Sequence, residues 1–164
     1  MFKLISKTIA AVAIVSVALF GSANAKTLKI ETHFTASSPN GEVAAQFAKN
    51  VEMFSGGSLK VEMFYSSSVT GKSAEVFNSA QTGIIDCDMT GAGYQTGKNA
   101  AFQFAGDVMG GYDNPYQQYD FLKFPGAQEA VDALYNKYGM TLIGWWIPGH
   151  ESLISSKPIP DVAS

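Results

Sequence analysis

Few side chains in this sequence can act as nucleophile, base or metal ligand. The 164 residues hold two histidines, His33 and His150, and one cysteine, Cys87. Nucleophilic hydrolysis needs a nucleophile, a base and a group that orients the base. No Gly-x-Ser-x-Gly elbow occurs, and Cys87 lies in an apolar run, where a thiol packs rather than reacts. Asp86 and Asp88 are two apart and would share one face of a strand. Two local carboxylates fall short of a metal centre, so neither a metal nor a cofactor is expected. The stretch Thr90–Lys98 is glycine-rich but matches neither phosphate-binding fingerprint. Catalysis is therefore not expected.

Small-ligand binding fits the chemistry better. Aromatic and polar residues fall where strands should end: His33-Phe34, Tyr65, Tyr94, then Trp145-Trp146 with His150-Glu151. Pockets for small ligands use that mixture, and open α/β sheets place them at the carboxyl ends of strands. Glycines at 91, 93 and 97 suit a tight loop leaving a strand, with Tyr94 inside it. Core packing is the competing role for Phe34, Tyr65 and at least one of the two tryptophans. Glu75 reads first as a solvated acid in the first turn of a helix.

The elements that must carry these residues follow from periodicity. Thr27–Phe34 alternates as a strand. Ser38-Pro39 offers a cap and first turn for a helix reaching Phe54, with apolar positions 43, 44, 47, 48, 51 and 54, and Gly56-Gly57 ends it. Leu59–Phe64 is a second strand. Ser73 can cap a helix that Gly83 stops, and Ile84–Met89 is a third strand, read as buried. That β-α-β-α-β order predicts a largely parallel sheet covered by helices. Short helical turns are expected over 99–104 and a helix over 116–124. Pro125-Gly126 is read as separating that helix from another over 127–138. An apolar fourth strand is expected over 140–147 and a fifth over 152–156.

The first 25 residues read as a secretory signal. Lys3 and Lys7 precede an apolar run, and Ala23-Asn24-Ala25 has the small-x-small pattern of a cleavage site. The run is about 13 residues, shorter than the roughly 20 a spanning helix needs. Cleavage after Ala25 leaves 139 residues with formal charge −5, and periplasmic residence is expected. All 11 basic residues are lysine and no basic run occurs, which argues against a nucleic-acid partner.

Several stretches together resemble the solute-binding proteins of tripartite ATP-independent periplasmic (TRAP) transporters, the dicarboxylate-binding DctP family. Phe47–Phe64, with its Ser-Gly-Gly-Ser-Leu-Lys-Val turn, resembles the first helix and second strand of that family. Glu75-Val76-Phe77 with Gly83-Ile84-Ile85-Asp86 resembles its next segment, and Tyr94-Gln95-Thr96-Gly97-Lys98 resembles the Tyr-x-x-Gly-Lys loop of its 2-oxo acid branch. Gly149–Leu153 with Ser156–Ile159 resembles the crossing into a second lobe.

The resemblance implies an α/β, periplasmic-binding-protein-like (type II-like) lobe. Residues 26–150 would form this N-terminal lobe and 151–164 would begin the crossover, most of the second lobe lying outside this sequence. It implies capture of a small organic acid, a 2-oxo acid or dicarboxylate, for delivery to a membrane permease. Tyr94 would contact the ligand, with His33, Phe34, His150 and Glu151 nearby and Glu75 at the cleft rim. The family's carboxylate-gripping arginine would follow the Lys157-Pro158-Ile159 segment. His150 departs from the 2-oxo acid branch, where a glutamine is expected. A secreted α/β hydrolase using His33 or His150, and the binding protein of an ATP-driven importer, are the other classes considered.

Overall fold

The computed structural model describes residues 25–106, 108, 110–145, 147 and 154–158. Residues 1–24 of the expected signal, Trp146, His150, Glu151, and Ser152 and Leu153 of the expected fifth strand lie outside the described residues, and 154–156 carry no strand.

Three parallel strands form the sheet, in the order β2-β1-β3. They are β1 (Lys26–Thr32), β2 (Leu59–Phe64) and β3 (Cys87–Met89). β1 is central: Lys26 to Glu31 pair with Leu59 to Phe64, and Ile30 to Thr32 pair with Cys87 to Met89. A central strand is covered on both faces at its carboxyl end, so Ile30, Glu31 and Thr32 are all buried despite the polar-apolar alternation.

Helix α1 (Pro39–Phe54) links β1 to β2 and starts as expected: the Ser38 Oγ accepts from the Gly41 N–H at 3.1 Å, and Pro39 occupies the first turn. Its inward face is narrower than its apolar periodicity, since Ala44 is buried whereas Val43 and Phe54 are exposed. Helix α2 (Ser73–Gln81) links β2 to β3 and buries Val76 and Phe77. Ser73 opens this helix rather than capping it. Lys72 holds the cap position without a side-chain bond.

Gly83, at φ 76°, turns the chain out of α2, and the N–H groups of Ile84 and Ile85 donate back to Ser79 O. Those two residues finish the helix instead of extending the strand, which is why β3 is three residues long and Ile84 is exposed. Asp86 accordingly precedes β3, and its Oδ2 accepts from the Lys29 N–H at 2.9 Å.

Beyond β3 come 3-10 helical turns at Ala92–Gln95 and Ala100–Ala105, then α3 (Pro115–Lys123) and α4 (Pro125–Asn136). Asn114 caps α3, accepting from Tyr116 and Gln117 N–H groups. Pro125-Gly126 does not separate two helices by a loop. Phe124 alone does so, and Pro125 is the first residue of α4, where its missing N–H costs nothing. The expected fourth strand is absent among the described residues: 140–145 and 147 carry no ladder bonds, and Ile143 is exposed. An apolar run becomes a strand only when it pairs with a neighbouring edge, and this run pairs with none of the three strands.

The core sits where α2, both 3-10 turns and α4 meet. Phe77, Ala92, Phe102 and Leu134 are buried together, with Tyr135, Tyr138 and Met140 against them. Phe77 and Phe102 meet edge to face at 5.8 Å. This cluster fixes the segment that carries Tyr94.

Candidate functional site

The carboxyl end of β1 is strapped from the side by the loop that follows β2. Ser67 N–H donates to Thr32 O at 3.0 Å and Ser66 N–H to Phe34 O at 2.9 Å. Reaching both carbonyls puts Ser66 and Ser67 in the left-handed region, at φ 57° and 50°. Burial of Ser67 and its hydroxyl contact with Ser73 Oγ hold that conformation. His33 and Phe34 are thus presented from a fixed backbone.

Tyr94 arrives from the other side. Its 3-10 turn is pinned by Gln95, which is buried and donates from Nε2 to Ala74 O at 3.3 Å. The Tyr94 ring folds back over Gly91 and meets the His33 ring edge on, centroids 5.3 Å apart. His33 in turn lies 3.9 Å from the Phe34 ring. None of Gly91, Gly93 and Gly97 uses a positive φ, so the turn follows from helical hydrogen bonds rather than glycine's extra freedom. Three of the six expected site residues therefore stand together: His33, Phe34 and Tyr94.

Glu75 stands apart from that group. It is exposed in the first turn of α2, where its Oε2 accepts from Asn78 Nδ2 at 2.8 Å. Asn78 Oδ1 accepts from Lys98 Nζ at 2.5 Å, which ties Glu75 indirectly to the end of the Tyr94 segment. His150 and Glu151 lie outside the described residues. Tyr65 is half-buried at the end of β2. Trp145 lines a separate shallow recess with Tyr119, Lys123, Gln128, Asp132 and Ile143.

Burial pushes the His33 imidazole pKa below its ordinary value, which favours the neutral ring. Its Nδ1 is buried without a hydrogen-bond partner. A neutral imidazole between two rings can give one hydrogen bond and accept one, which suits binding of a polar solute. Burial, joined by the neighbouring Asp86 charge, pushes the Cys87 thiol up, which keeps it protonated and unreactive. Among the described residues no group of three or more histidines, cysteines and carboxylates could hold a metal ion.

Sequence reasoning weighed Asp88 only beside Asp86 and gave Glu31 no role, and so missed that the two acids pair at this end of the sheet. Alternation along β1 sets Glu31 with Lys29 and His33 against Leu28, Ile30 and Thr32, yet Glu31 is fully buried. Asp88 is its register partner in β3 and does not share a strand face with Asp86. The available signal was an acid beside apolar neighbours in each of two predicted parallel strands; their pairing register is not written locally.

The sequence profile of bacterial extracellular solute-binding protein family 7 (DctP) matches residues 30–164. A comparison with curated proteins gives no match. Among solved structures, a TRAP periplasmic solute-binding protein from Rhodobacter sphaeroides, in an apo open form, is 27% identical, with TM-score 0.66 over 72% of this chain and 37% of its own. One from Pseudoalteromonas atlantica, with bound sodium and pyruvate, is 20% identical, with TM-score 0.64 over 71% of this chain and 35% of its own. An extracytoplasmic solute receptor from Bordetella pertussis that binds pyroglutamic acid is 21% identical, with TM-score 0.60 over 72% of this chain and 38% of its own. The chain spans little more than a third of the length of these structures. The parallel sheet with its flanking helices is the fold these structures share with it. With the profile covering all but its first 29 residues, the chain belongs to the bacterial extracellular solute-binding protein family 7.

Proposed function

We propose that residues 26–150 are the N-terminal lobe of an extracytoplasmic solute receptor, one wall of a cleft that takes a small organic acid and passes it to a TRAP membrane permease. The observation that carries this reading is the joining of His33, Phe34 and Tyr94 at the carboxyl ends of β1 and β3. Rings there shield a solute's carbon skeleton, and His33 and the Tyr94 hydroxyl supply directional hydrogen bonds. Pyruvate and pyroglutamic acid, bound by two structures of this fold, are the acids to try first. The role is non-catalytic: His33 is surrounded by rings rather than placed beside a nucleophile. In the same reading residues 1–25 are the export signal, residues 151–164 begin the crossover, and Glu75 belongs to the cleft rim rather than to the ring group.

A single wall binds weakly because closure supplies the remaining contacts. NMR titration with pyruvate and with pyroglutamate is therefore the appropriate measurement. Signals of His33, Phe34 and Tyr94 are expected to move together and to saturate. Tyr94→Ala should weaken binding roughly tenfold, the effect of losing one aromatic contact of about 1.4 kcal/mol. Shifts confined to other residues, or unaltered affinity in that variant, would remove the site from this end of the sheet.

A further inference from the structure

Glu31 and Asp88 are opposed carboxyl side chains on adjacent parallel strands. Neighbouring strands lie about 4.8 Å apart, and register partners point to the same face. One side of the Glu31 carboxyl is satisfied: Oε1 accepts from the Val69 N–H at 2.6 Å and the Thr70 N–H at 3.3 Å. Oε2 is buried with no partner, and so is Asp88 Oδ1. A buried acceptor without a donor is destabilising, and two buried like charges on adjacent strands are worse. One proton placed between the two oxygens removes both faults.

We propose that Glu31 and Asp88 hold a single proton between them, Asp88 Oδ1–H donating to Glu31 Oε2, and that this bond locks β1 to β3 at the strand ends that lead to His33 and Tyr94. The lock concerns the sheet itself and can be read with no solute present, so it stands or falls separately from the proposed ligand.

The surroundings agree with this arrangement. Asp88 is raised from 3.8 to about 6, first by burial and last by the Glu31 charge, while the Thr90 hydroxyl and backbone N–H oppose the rise. From α4 the Tyr135 phenol faces the same group, and it is pushed up to about 12 by its own burial and then by the Asp88 charge. Cys87, next to Asp88 in β3, is raised by burial, by Asp86 and by Asp88. A shared proton is present in mild acid and leaves as pH rises through the folded value.

Sign follows directly. The folded chain binds this proton more tightly than the unfolded chain, so its contribution to stability falls as pH rises between the two values and is gone above the folded one. Asp88→Asn keeps a donor toward Glu31 but cannot titrate. Melting temperatures of wild type and Asp88→Asn, measured from pH 4 to 7, should diverge, the wild type losing roughly 10 °C relative to the variant across that range. A difference that stays constant with pH overturns the proposal.

Carbon NMR of the Asp88 carboxyl gives a second reading that needs no stable Asn variant. In the wild type its midpoint is expected at about 6. Glu31→Gln should lower it, because the acceptor charge that holds the proton is gone. A midpoint in the ordinary carboxyl range in the wild type, or one that Glu31→Gln leaves in place, overturns the shared proton.

Discussion

Replacing Phe77 with alanine should lower the unfolding free energy by about 3–5 kcal/mol, the cost of deleting a fully buried ring from a core that cannot collapse into the gap. Phe77 has no exposure, and its ring is shared by four partners. Phe102 and Tyr138 meet it edge to face at 5.8 and 6.0 Å, Tyr135 is tilted at 6.1 Å, and the Lys98 ammonium lies 5.6 Å from its centroid. These partners come from the second 3-10 turn, from α4 and its end, and from the Tyr94 segment, so no single element can move in to fill the cavity. The effect should also reach the candidate site, because Ala92 in the same cluster begins the turn that carries Tyr94. Urea unfolding followed by tryptophan fluorescence measures the first effect, and the NMR signals of Tyr94 and His33 the second. A loss under about 1 kcal/mol would mean that this cluster is not the core.

Local rules account for the parts of this structure that local chemistry decides. β2 spans the predicted residues, and the Ser38 cap and Pro39 start of α1 are where the spacing put them. Alternation and capping involve neighbours a few residues apart, so they can be read along the chain. The failures are of two kinds, one local and one not. Ile84 and Ile85 look like strand residues, but their N–H groups are claimed by Ser79 O at the end of α2. The run from 140 to 147 is apolar enough for a strand, but its described residues pair with no other strand.

The site divides the same way. His33, Phe34 and Tyr94 could be chosen because strand ends are predictable and aromatic residues are conspicuous there. Glu31 and Asp88 could not, because their burial depends on which residue of β1 faces which residue of β3. That register is a three-residue match, Ile30 to Cys87 through Thr32 to Met89, between segments far apart in sequence. Glu75 shows the reverse case: its helix was predicted, but its side chain turns to Asn78 rather than to the rings.

Gly41→Ala should cost about 3 kcal/mol, at the upper end of what overpacking does, and should disturb the site without touching it. Gly41 is a buried position in the first turn of α1. A Cβ built there would lie 2.0 Å from Thr35 O and 2.9 Å from Ala36 O, so the obstruction is backbone and no side chain can swing aside. The glycine is required by space, since its φ is not in the left-handed region. Thr35 O is itself occupied, accepting from Ser38 N at 3.1 Å and from Ser38 Oγ at 2.8 Å. Relieving the clash therefore pulls on the same turn that caps α1 and that follows His33-Phe34. Gly93, beside Tyr94, is the contrast: nothing lies within 4 Å of a Cβ there, so Gly93→Ala should change stability by no more than about 0.5 kcal/mol. Comparing urea midpoints of the two variants, together with the His33 and Phe34 signals, separates a steric demand from a general sensitivity to glycine loss. Equal midpoints in the two variants would show that the Thr35–Ser38 turn yields freely, and that the position of His33 is not set by the packing of α1 against it.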